Sequence, residues 1–151
     1  MFLAFWYLQN LLQVAFAGWA LAPDLFFLSI FSKGLTDEKH YDRYLWGCFL
    51  GGLLWDFRWT GIPGFSASLY GGLFMVFRLV WMIIPKEGRI PILFLGVSSS
   101  ALCISAILRV TLFYSGRAVI GSAMMMFLAS AALSIVISWI YYSQFYRKQD
   151  V

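Results

Sequence analysis

The sequence breaks into long apolar runs, and each of its four prolines, Pro23, Pro63, Pro85 and Pro91, falls at the edge of one. A proline removes a backbone donor, a loss that costs least at a helix end, so these positions mark span boundaries. Of 151 residues, 62% are hydrophobic and 12% charged, against roughly 45–50% and about 25% in a soluble domain. A membrane-crossing helix takes about 20 apolar residues, so about six or seven spans fit, with almost nothing left for a water-soluble domain. The net charge of +4 comes from cations set between apolar runs, which argues against nucleic acid as a partner.

The runs predict an all-α integral membrane protein with one domain over residues 1–151, a six-helix transmembrane bundle with spans at 2–22, 24–33, 44–57, 64–84, 90–116 and 118–142. The first lacks the basic opening of a signal peptide and is read as a retained span. The second is short. Leu25 to Ser32, with its flanks, reaches about 15 Å, so it is either a half-span packed inside protein or a crossing where the bilayer is thinned. Residues 33–43 carry Lys33, Asp37, Glu38, Lys39, His40, Asp42 and Arg43 and read as a water-exposed loop.

Short cytoplasmic loops retain Lys and Arg. With the N-terminus inside, the inner segments hold Lys33, Lys39, Arg43, Lys86, Arg89, Arg147 and Lys148, and the outer loops only Arg58 and Arg117. Both termini are therefore expected in the cytoplasm. A re-entrant second segment would instead move the N-terminus outside. Aromatics near the span ends, among them Trp6, Tyr7, Tyr44, Trp46, Trp55, Trp59 and Trp81, read as an interfacial belt.

Polar groups inside spans are expensive and are the natural place to look for function. The topology puts Asp24, Asp56, Arg58 and Arg109 in one leaflet, where two carboxylates and two guanidiniums can neutralise each other. Such a cluster fastens helices, contacts a partner, or lines a small-ligand pocket. Asp24 also stands where a carboxylate caps the free amides of a helix start. Arg78 lies two turns before Pro85, within reach of the surface by snorkelling, and is assigned no role.

Catalytic chemistry finds little footing. His40 is the sole histidine, and Ser98, Ser99 and Ser100 have no base beside them, so they read as small residues for close helix approach. No HExxH, GxxxxGK[ST] or GxGxxG occurs. Cys48 and Cys103 lie in apolar runs without ligand spacing and read as packing residues. No metal and no cofactor is expected. Small residues are better organised: Gly47 and Gly51, Gly96 and Ser100, and Ser130, Ser134 and Ser138 each fall at a spacing that lets helix backbones meet. Met124, Met125 and Met126 read as adaptable apolar filler.

From Ala22 to Arg89 an ordered set of motifs appears. Pro23-Asp24-Leu25 opens a short helix, a charged loop follows, then Gly51-Gly52-Leu53-Leu54-Trp55-Asp56, then Pro63-Gly64 with Ala67 and Tyr70. This order resembles the MreD family of the bacterial rod-shape and cell-wall elongation system. The resemblance implies a non-enzymatic scaffold in the bacterial inner membrane that binds MreC and other elongation-complex proteins. Through them it would help couple cytoplasmic MreB filaments to peptidoglycan synthases, with membrane lipids around it. MreD is similar in fold to the vitamin-binding S-components of energy-coupling factor transporters, which supply the alternative reading. An acyl- or phospho-transferase is the third class, and it would need a base in a polar cluster at one interface.

Overall fold

The computed structural model describes residues 2–15, 24–37, 39–85 and 88–113, together with isolated helical positions between 121 and 143. Every described regular element is helical: α1 (Phe2–Ala15), α2 (Leu25–Thr36), α3 (Tyr41–Trp55), a π-helical turn (Asp56–Thr60), α4 (Phe65–Ile83) and α5 (Pro91–Phe113). The span expected at 118–142 lies mostly outside the described residues, as do Pro23, Ser130, Ser134, Ser138 and Met124 to Met126.

The short helix is the centre of the bundle. Ten of the 12 residues of α2 are buried, from Leu25 through Ser32 and again at Gly34 and Leu35. A helix apolar on every side must be enclosed on every side, and α1, α3, α4 and α5 all pack on α2. Enclosure by four helices fits both readings of this segment, a half-span packed inside protein and a crossing where the bilayer is thinned. At 12 residues α2 is about 18 Å long, with a buried start at Asp24 and a part-buried finish at Thr36 and Asp37, and both ends find partners within the protein.

The charged loop is shorter than the sequence implies. α2 runs on to Thr36 and α3 starts at Tyr41, so the expected 33–43 loop shrinks to a turn, with Gly34 and Leu35 buried. Local bonds carry the helix through: the Thr36 hydroxyl donates to Ser32 O at 3.2 Å and Lys33 O at 3.0 Å, and the Asp37 N–H closes the last turn on Lys33 O at 2.9 Å. In the turn, Asp37 accepts from Tyr44 Oη at 3.1 Å and pairs with His40 Nδ1 at 3.1 Å. Partial burial pushes the Asp37 carboxyl up, but the hydrogen bonds from His40 and Tyr44 outweigh it and hold it below its ordinary value.

Glycines set the distances between helices. A Cβ on Gly51 would fall 1.9 Å from Phe26 Cε1, and one on Gly47 3.4 Å from Ile30 Cδ1, so that pair seats α3 on α2, inside the bundle. Gly52, one residue on, faces the other neighbour, where a Cβ would lie 2.5 Å from Ala67 Cα. Backbones of α3 and α4 therefore touch. Gly96 differs: it is exposed, with nothing within 4 Å of an added Cβ, and Ser100 turns its hydroxyl back to Gly96 O at 2.8 Å. The expected packing role of Gly96 and Ser100 has no counterpart among the described contacts.

Aromatic rings fill the space around α2. Phe27 stacks on Tyr70 at 4.6 Å, Phe31 meets Phe74 edge-on at 6.2 Å, and Trp81 meets Phe94 at 5.6 Å. The outer faces are also apolar: Leu3, Tyr7, Leu11 and Val14 of α1, Val76, Leu79 and Ile83 of α4, and Ile92 and Ile107 of α5 are all exposed. Two helices, α4 and α5, are long and apolar enough to cross a membrane.

Candidate functional site

Four helices converge on one carboxylate. Asp24 precedes α2, and its side chain accepts from the Phe27 N–H at 3.4 Å as the N-cap expected from sequence. An exposed cap would leave its remaining lone pairs to water, but Asp24 is only 3% exposed. Protein groups fill them instead. Gln9 of α1 donates Nε2 to Asp24 Oδ1 at 3.0 Å, while its Oε1 accepts the Phe26 N–H at 2.7 Å. One amide thus serves both the cap and a second free N–H of the same helix end.

On the other oxygen, the Tyr70 hydroxyl of α4 donates to Asp24 Oδ2 and accepts from Arg109 Nη2 of α5. Arg109 Nη2 also stands 3.1 Å from Asp24 Oδ2. The guanidinium lies between two rings, 4.9 Å from the centroid of Trp55 and 4.7 Å from that of Tyr70, an arrangement that adds cation–π attraction. Trp6 closes the outside, edge-on to Phe26 at 5.4 Å and to Trp55 at 6.1 Å. Burying a charge is tolerable only when it is paired and bonded. Here one anion and one cation, with a hydroxyl and an amide between helices, meet that condition, although Arg109 Nε has no hydrogen-bond partner.

Asp56 does parallel work for α4. It is fully buried, and its carboxylate accepts the Ser66 N–H at 2.9 Å and the Ala67 N–H at 3.3 Å. The residue in the N-cap position is Gly64, with φ 93° and no side chain to bond, so the carboxylate reaches in from the preceding helix. The chain returns because the π-helical turn ends at Gly61, φ 66°, whose N–H donates to Asp56 O at 2.9 Å, and Pro63-Gly64 then starts α4. Positive φ is where glycine is favoured.

The four residues expected to cluster therefore divide. Asp24 and Arg109 form the buried pair, Asp56 is bonded to the start of α4, and Arg58 is exposed on the π-helical turn. Gln9 and Tyr70 complete the network. The sequence signal for Gln9 is an amide pair, Gln9-Asn10, within an apolar run. Tyr70 stands in the motif as an aromatic whose hydroxyl has no signal of its own.

At the opposite end of α2, Arg78 corrects the expectation of a snorkelling side chain. It is 7% exposed, and its Nη1 donates to Gly34 O at 3.3 Å and Leu35 O at 3.1 Å. A cation there also meets the negative end of the helix dipole. The reason is the length of α2: once that helix ends inside the bundle, its last carbonyls need donors, and Arg78 is the one α4 supplies.

Among the described residues no group of three or more His, Cys, Asp or Glu is placed to hold a metal ion. Cys48 is buried and both cysteines are free thiols. Comparison with protein-family models, with curated proteins and with solved structures finds no match to this chain.

Proposed function

We propose that the chain is a non-enzymatic membrane scaffold of the MreD type, with six spans and both termini in the cytoplasm of a bacterium. In this reading it binds MreC in the inner membrane and helps couple MreB filaments to peptidoglycan synthesis. The observation that supports it best is where the buried polar groups direct their bonds. Asp24, Gln9, Tyr70 and Arg109 bond to one another and to the amides of α2, Asp56 to those of α4, and Arg78 to the carbonyls of α2. That is chemistry spent on holding a frame. The residues that carry the family resemblance have matching duties: Asp24 before Leu25 caps the short helix, Gly51 seats α3 on α2, and Asp56 with Pro63 and Gly64 starts α4. Apolar outer faces on α1, α4 and α5 suit lipid and the transmembrane helix of a partner.

The test is mass spectrometry of the chain purified in mild detergent after co-expression with MreC from the same organism. MreC in near-equal amount is the expected result. A tightly held vitamin without MreC would replace this reading with that of an S-component, and neither species at all would reject MreC as the partner.

A further inference from the structure

We draw no further inference here: the strongest candidate, the groove of about 100 Å³ between the Tyr41 end of α3 and the middle of α4, walled by Leu45, Phe74, Met75, Arg78 and Leu79, carries nothing because nothing in the structure shows what covers it.

Discussion

The two ends of α2 meet the same difficulty in opposite ways. At its start the charge belongs to the short helix: Asp24 is buried, and Gln9, Tyr70 and Arg109 arrive from three other helices to satisfy it. At its finish the buried carbonyls of Gly34 and Leu35 are met by a charge from α4, Arg78. Removing a partner at the first end strands a buried ion. Removing Arg78 strands neutral carbonyls that cost less to leave unmet. The start of α2 is therefore the more heavily fastened end, and it ties α1, α4 and α5 together, whereas the finish is tied to α4 through Arg78 and to α3 through the bond from Tyr44 to Asp37.

Arg109→Met tests the larger effect. It leaves Asp24 without its counter-ion, and the unfolding free energy in detergent should fall by about 3–5 kcal/mol. Adding Asp24→Asn to that variant removes the stranded charge and should recover part of the loss. A cost well under 1 kcal/mol for Arg109→Met would erase the distinction between the ends. Next in size is Arg78→Met, which removes two charge-assisted bonds and should cost about 1.5–3 kcal/mol. Its mark should be local, with faster amide exchange at Asp37, whose N–H closes the last turn of α2.

The smallest effect belongs to the turn beyond that end. The Asp37 carboxyl is held below its ordinary value, so its stabilising contribution is full above the unfolded pKa and disappears as pH falls through the folded one. Wild type should therefore exceed Asp37→Asn in stability near neutral pH, by about 0.2–1 kcal/mol for so exposed a pair, and the two should converge in acid. Unfolding midpoints measured across pH 7 to about pH 3 check this, and a gap that widens in acid would reverse the assignment.

Much of the frame is legible in the sequence because its physics is local. Proline edges and apolar runs locate α4 and α5 closely, the position before Leu25 marks Asp24 as a cap, and the spacing of Gly47 and Gly51 marks a packing face. The matched depth of Asp24 and Arg109 follows from counting spans. What escapes depends on register between distant segments. Gln9 lies 15 residues before Asp24 and carries no charge to draw notice, so only the placement of α1 on α2 reveals its bond. Tyr70 stands in the motif, but the bonds of its hydroxyl to Asp24 and from Arg109 need α2, α4 and α5 in place. Arg78 has a purpose only if α2 ends beside it, and that turns on the helix continuing through Gly34 to Thr36, where the density of charge reads as loop. Gly51 and Gly52 are adjacent, yet one serves α2 and the other α4, a division that needs both neighbours in place.

In the scaffold we propose, the buried polar residues hold the frame and MreC binds to its outside. Capture of MreC by Asp24→Asn, normalised to the amount of folded protein, tests it most directly. The account predicts capture per folded molecule equal to wild type, even though less of the variant folds. A variant that folds as wild type does and yet captures no MreC would contradict it, because Asp24 would then belong to the contact and not to the frame.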